Sequence, residues 1–471
     1  MKPIRSTANA ECGIRNAERA TVKPSHTPFR IYNSAFVFAF AAAMAVGGEV
    51  PTYEGNCTKA GCHAEYTQRP VVHSPVETGA CSACHEAAPG AEHKFKPTAT
   101  GAGLCTECHE EEKFQGRVVH APVAQGQCTS CHDPHGGKAK GLLITDTVAV
   151  LCSECHEKTL EGLAFVHGPA AIGQCTACHQ PHASQHPSLL QTADRELCTE
   201  CHAEIQERTA SMKHVHSPVE GGCLGCHKPH GAANKMMLTT TAPGLCLDCH
   251  ATVADRLESA KCKHSPVTAE GGCLTCHDAH ASNVAGLVLG PNSMQRCMTC
   301  HDQEIKSPRG TILNVAAHLK DHSHHHGPIQ SGDCTACHDA HGGEWAALLV
   351  REYPSRFYAA FRTDGYKLCF ECHNAASFEN PETDADTEFR NGTRNLHYLH
   401  VNKSFKGRSC RACHDPHAST NLKHIAKTVP FGKWTIPLNF QLTPTGGSCQ
   451  PGCHQFYRYD RVQPTADVSV R

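Results

Sequence analysis

Thirty of the 32 cysteines in this chain stand in pairs, and every pair is followed at once by a histidine. Thirteen of the fifteen pairs are CxxCH; the first, Cys57 and Cys62 before His63, encloses four residues, and the last, Cys449 and Cys453 before His454, encloses three. Two thiols held a short loop apart can add across the two vinyl groups of a heme, and a histidine directly after the second thiol can reach its iron. Zinc sites, redox dithiols and disulfides also use CxxC, but none of them requires that histidine. The longer first and last loops leave Cys-His intact, so the pattern predicts fifteen heme c attachments. The thioether pairs are Cys57 with Cys62, Cys81 with Cys84, Cys105 with Cys108, Cys128 with Cys131, Cys152 with Cys155, Cys175 with Cys178, Cys198 with Cys201, Cys223 with Cys226, Cys246 with Cys249, Cys273 with Cys276, Cys297 with Cys300, Cys334 with Cys337, Cys369 with Cys372, Cys410 with Cys413 and Cys449 with Cys453. The proximal ligands are then His63, His85, His109, His132, His156, His179, His202, His227, His250, His277, His301, His338, His373, His414 and His454. Cys12 and Cys262 stand outside the pattern, Cys262 reading as a free or buried thiol.

Each iron needs a second axial ligand, and methionine cannot supply it: beyond residue 45 the chain has only Met212, Met236, Met237, Met294 and Met298. Histidine can, because 22 remain when His26 and the fifteen proximal residues are set aside from the 38. Two sets recur in step with the cysteine pairs. One opens an HxP tripeptide or its equivalent: His73, His120, His167, His216, His264, His326 and His400. The other stands three residues past the motif: His135, His182, His230, His280, His341 and His417, with His93 as the stand-in where the chain reads CHEAAPGAEH. Two motifs and two further histidines per repeat predict bis-histidine ligation, hence low-spin hemes of low potential. The leading heme has no repeat-derived partner, and His318, His322, His324, His325 and His397 remain as spare candidates.

The elements that must position these residues form a tandem repeat. Opening histidines recur about every 47 residues before the spacing stretches. The reading is a signal segment over 1–45, a leading single-heme segment over 46–72, five two-heme repeats over 73–325, two expanded ones over 326–454, and a tail over 455–471. The expansion lies in EWAALLVREYPSRFYAAFRTDGYK and KHIAKTVPFGKWTIPLNFQLTPTGG, rich in aromatics that pack over heme edges or form docking surfaces. With 38 glycines and 28 prolines in 471 residues, the expected fold is mostly irregular with short α-helices and few or no β-strands. Helices are expected where a motif runs into a helix-forming tail, as in ELCTECHAEIQER and TVADRLESA. At 6% aromatic residues a large side-chain core is excluded, so the porphyrins must supply the apolar interior.

The twelve-residue apolar run AFVFAFAAAMAV, residues 35–46, is too short to cross a bilayer, which takes about 20 residues. It fits the core of a secretory signal with cleavage after Ala45. The remainder then has 37 Lys and Arg against 43 Asp and Glu. That mildly acidic balance, with propionates added, argues against nucleic acid or anionic lipid as partners. The expected location is outside the cytoplasmic membrane: periplasmic, associated with the outer membrane, or extracellular.

HSPV followed by CxxCHxPH and then LCxxCH resembles the doubled-CxxCH unit of bacterial multiheme c-type cytochromes, over roughly residues 70 to 454. That family includes periplasmic electron carriers and heme chains associated with outer-membrane porins in metal-reducing and iron-oxidising bacteria. The resemblance implies an elongated chain organised around stacked hemes. It also implies electron transfer by hopping, from a periplasmic or inner-membrane donor to an outer-membrane or extracellular cytochrome, with an outer-membrane β-barrel as a further partner. This chain differs from the decaheme porin type in heme number and in its two stretched repeats. Competing readings are a reductase with one five-coordinate heme, for which no CxxCK motif is present, and a protomer of an extracellular cytochrome filament.

Overall fold

A computed structural model describes residues 57–58, 63–88, 94–269, 271–307 and 310–466. The apolar run, Cys12, Cys62 and His93 lie outside the described residues. Contacts divide the chain into two compact units, Met1–Tyr53 with Ala87–Lys94, and Glu54–Glu86 with Phe95–Arg471. All fifteen cysteine pairs and their histidines belong to the second.

One repeat shows how the others are built. A two-residue strand, Phe165–Val166, leads to His167 in extended conformation. The single-turn helix Gly168–Ala171 follows, with proline in its first turn, where the missing N–H costs nothing. The 3-10 turn Cys175–Ala177 carries the first thiol of the motif. After His179 the chain passes through a short strand, Ala183–Ser184, and a tight turn, Pro187–Leu189. The helix Asp194–Thr199 then carries the second motif's first cysteine, and Ala203–Ser211 is the helix expected from ELCTECHAEIQER. Ala251–Ser259 is the one expected from TVADRLESA. Short helices joined by irregular chain, with strand pairs mostly two residues long and no closed sheet, make up the fold.

Those strand pairs join repeats. The strand preceding each opening histidine pairs antiparallel with the residues after the HxPH histidine of the following repeat: Val71 with Gly137, Val119 with Ala183, Val166 with Gly231, Val215 with Ala281, Lys263 with Gly342, and His325 with Ala418. At the third joint, Gly231 has φ +150°, and a Cβ there would come 2.5 Å from the Phe165 carbonyl, so the crossing needs glycine.

Side-chain burial is sparse and lies mostly toward the C-terminus. Tyr366, Leu396, Val401, Val429, Leu438 and Tyr459 are buried, whereas the buried apolar residues of the first five repeats are alanines apart from Leu319. The first aromatic insert packs on itself: Tyr366 lies between Tyr353, Phe361 and Phe370 at ring separations of 5.7 to 6.0 Å. The second forms the hairpin Thr428–Phe431 with Trp434–Pro437 and a three-stranded sheet from Gln441–Leu442, Gly446–Cys449 and Tyr457–Asp460. Among the described residues no helix is long and apolar enough to cross a membrane.

Candidate heme sites

Fourteen of the fifteen motif histidines face a second histidine. The opening histidine of each repeat meets the second-motif histidine of the same repeat. His73 with His109, His120 with His156, His167 with His202, His216 with His250, His264 with His301, His326 with His373 and His400 with His454 have ring centres 5.9 to 6.5 Å apart. The HxPH histidine instead crosses the joint to the first motif of the preceding repeat. His85 with His135, His132 with His182, His179 with His230, His227 with His280, His277 with His341 and His338 with His417 stand 5.8 to 6.2 Å apart. His414 instead meets His397, from just ahead of its own repeat, at 6.4 Å. Two imidazoles gripping one ion from opposite sides, with bonds of about 2 Å and roughly 1 Å from nitrogen to ring centre, require about 6 Å. The rings are too far apart to stack directly and spaced to share a metal.

The backbone sets this crossing. The amides of six of the seven opening histidines donate to the carbonyl of the histidine three residues past the first motif of the next repeat: His73 to His135, His120 to His182, His167 to His230, His216 to His280, His264 to His341 and His326 to His417, at 2.8 to 3.2 Å. In four of these joints an aspartate two residues before the HxPH histidine accepts its backbone N–H: Asp133, Asp278, Asp339 and Asp415. The same carboxylates meet Arg69, Arg208, Arg256 and His318. Burial pushes Asp278 up, but the His280 amide and the Arg208 guanidinium outweigh it and hold the carboxyl below its ordinary value.

The tautomers are also fixed. Nδ1 of His73, His120, His167, His216 and His264 donates to the carbonyl of the residue before the HxPH histidine, at 2.8 to 2.9 Å. Nδ1 of the first-motif histidines His132, His179, His227, His277, His338 and His414 donates to the carbonyl nine residues on, at 2.6 to 2.9 Å. In both cases Nε2 keeps its lone pair for a metal, the arrangement that orients and strengthens an imidazole ligand. Every site in repeats two to five therefore has one carbonyl-tethered imidazole. That carbonyl is aimed by two successive left-handed residues: Gly141 and Leu142, Ser188 and Leu189, Met236 and Met237, Gly286 and Leu287, Ala347 and Leu348, Lys423 and His424, all with φ between 54° and 80°. A non-glycine residue there costs about 1 to 2 kcal/mol, and the conformation recurs six times.

Burial keeps these C-terminal histidines uncharged: it pushes His397 down to about 3, and His400 and His417 down to about 4. His135, His182, His230, His280 and His341 are lowered, burial being the first cause in each. Neutral imidazole is the coordinating form.

The thiols give the order of the sites. The thiols of Cys57 and Cys81, Cys105 and Cys128, Cys152 and Cys175, Cys198 and Cys223, Cys246 and Cys273, Cys297 and Cys334, and Cys369 and Cys410 lie close enough to shift one another's ionisation, so the last motif before each joint lies against the first motif after it. Within repeats, Cys131 and Cys155, Cys178 and Cys201, Cys226 and Cys246, Cys337 and Cys372, and Cys413 and Cys449 are close enough to raise each other's or a neighbour's ionisation. Spatial order follows chain order. One cavity of about 2880 Å³, lined by thiols and imidazoles from Cys105 to His341, runs through these repeats. An ordinary ligand pocket holds about 300 to 1,000 Å³. Imidazole spacing, tautomers, thiol placement and cavity all fit covalently held hemes laid side by side.

His63 lies 5.9 Å from Tyr66, whose ring stacks on His135 at 4.5 Å. Of the spare histidines, only His397 enters a motif pair. It and His400 share the helix Leu396–Val401, capped by Asn395, so LHYLH places both on adjacent turns. His424 stands edge-on to His326 at 5.4 Å, and His318 stacks on His322 at 4.2 Å. Cys262 is half-buried in the fifth joint strand.

The doubled CXXCH motif family matches six times, at residues 73–114, 120–161, 167–207, 216–255, 264–306 and 326–378, together more than half of the chain. No curated protein matches.

Proposed function

Because this chain belongs to the doubled CXXCH motif family, that of multiheme c-type cytochromes, we propose that it binds fifteen hemes c and conducts electrons along them in sequence order. Covalently bound heme c supplies a one-electron couple at each site. The chain's own residues hold the thiols of consecutive motifs against one another, and at fourteen of the sites two neutral imidazoles would hold the iron. Carbonyl tethers keep their coordinating nitrogens deprotonated and aimed. The proposed axial ligands are the fourteen pairs above, with His397 serving beside His414. The chain is exported and works between a periplasmic or inner-membrane donor and an outer-membrane or extracellular acceptor. It is a conduit, with no reaction of its own on a substrate.

The observation that carries this reading is the recurrence of imidazole pairs about 6 Å apart at every motif from Cys81 to His454. Its test is heme content by pyridine hemochrome and intact mass, combined with quantitative low-temperature EPR of the oxidised protein. Fifteen hemes are expected, with low-spin signals from the fourteen sites that pair two histidines. A stoichiometric high-spin signal that shifts with nitrite would replace the conduit with a reductase.

A further inference from the structure

Charge is unevenly distributed along the chain. Residues 46–399 contain 27 Lys and Arg against 40 Asp and Glu; residues 400–466 contain nine against two. Those two acids are engaged internally: Asp415 meets His318 at 3.1 Å, and Asp460 accepts the Thr445 hydroxyl and the amides of Val462 and Gln463. Lys423 pairs with Glu388. Among the described residues no ion pair reaches Lys403, Lys406, Arg408, Arg411, Lys427, Lys433 or Arg458, and five of these seven are exposed. Upstream, acids outnumber the cations, and Arg208, Arg256, Arg351 and Arg362 are among those that meet carboxylates.

Two of the unpaired cations lie beside the last site. Lys403 and Arg408 act on His400, and Arg408 on Cys449; Arg458 lies four residues past His454. Exposed apolar groups stand among them: Phe405 at 75% exposure with Lys406 over its ring, Trp434 at 74% beside Lys433, and Phe456 at 52%. An aromatic centre within a cationic rim is the composition of a docking face, and its charge selects for an acidic counterpart. Propionates of the two hemes of this module offset part of its charge, while the same groups deepen the negative charge of everything upstream.

We propose that residues 400–466 form a cationic docking face through which the last heme site meets a separate acidic redox protein, one with clustered carboxylates around its own redox centre. The inference rests on the electron-transfer reading, and it gives the chain a polarity: the acidic repeats repel the partner that the C-terminal module attracts.

The test mixes oxidised holoprotein with fully reduced flavodoxin, a small acidic one-electron donor, in a stopped flow over a range of ionic strength. Each encounter moves one electron from the flavin hydroquinone to a ferric heme and leaves the flavin semiquinone. The expected second-order rate falls as salt rises, although both proteins are net negative, and K406E/K433E/R458E lowers it roughly tenfold or more at low salt. The pair K427E/R411E lowers it in the same direction, and the upstream control K113E/K158E/K213E leaves it within about twofold. Unchanged heme content and EPR show that each variant is folded, and they keep a failure here distinct from a failure of the conduit reading. A rate that rises with salt, or that ignores the C-terminal reversals, overturns the proposal. So does salt-reversible self-association in sedimentation velocity that the same reversals abolish, because the face then belongs to a second copy.

Discussion

Removing His230 tests the cross-joint pairing most directly. Its ring stands 5.8 Å from His179, in the preceding repeat, while the first motif of its own repeat is met by His280 at 6.2 Å from His227. H230A therefore strips one axial nitrogen from the site of Cys175 and Cys178 and from no other. One site in fifteen turns high-spin, about 7% of total heme by quantitative EPR. Heme content stays at its wild-type value, because the thioethers are untouched. The decisive sample is the combination H230A/C175A/C178A, which deletes that heme altogether: the high-spin signal must vanish and the heme count fall by one. If the signal survives, His230 served a heme within its own repeat and the offset pairing is wrong. The converse control, H230A/C223A/C226A, must keep it.

Asp278 takes the backbone amides of His280 and Ala281 and faces Arg208 with only 14% of its side chain exposed. D278A should cost about 1 to 3 kcal/mol locally, read as faster hydrogen exchange at those two amides with the second repeat unaffected. Met236 sits at φ 56°, so M236G should relieve about 1 kcal/mol and raise the unfolding midpoint while preserving the His227 tether. At Gly446 a Cβ would overlap the Tyr459 carbonyl, so G446A should reduce occupancy of the last site, seen as about one heme lost per chain by mass. On acidification, a free imidazole takes its proton near pH ~6.5. His397, His400 and His417 have lower folded values, about 3 to 4, so an unfolded chain binds more protons between these limits and the C-terminal module loses stability as pH falls through them. Low-spin EPR signals from the sites that these three histidines face should weaken as the pH is lowered.

Much of the site was readable from residue types alone. The cysteine pairs, the histidines that follow them and the period of the repeat follow from spacing. The two short helices of the third and fourth repeats follow from helix-forming tails. The offset between repeats did not follow, because a histidine three residues past a motif is as compatible with its own repeat as with the one before. Only the pairing of Val166 with Gly231 and its counterparts decides it, and two-residue strands leave no periodic signal. His397 was one spare among five; its signal was the LHYLH spacing behind the cap Asn395. The left-handed pairs were illegible for another reason. Ser188, Met236, Ala347 and Lys423 share no chemistry, and the carbonyl they aim, rather than their side chains, imposes the conformation.

A register shifted by one repeat has a consequence for how such a molecule can change length. Because each repeat completes its predecessor and is completed by its successor through the same strand pair, a duplicated copy placed anywhere inside the array meets a ready-made neighbour on both sides. No new interface has to arise. The site of Cys410 and Cys413 is completed differently: His397, drawn from the chain just ahead of that repeat, faces His414 in the place that a histidine three residues past a later motif takes elsewhere. Arrays of this kind can thus grow or shrink in whole steps of two hemes, with the reach of the wire under selection independently of its joints.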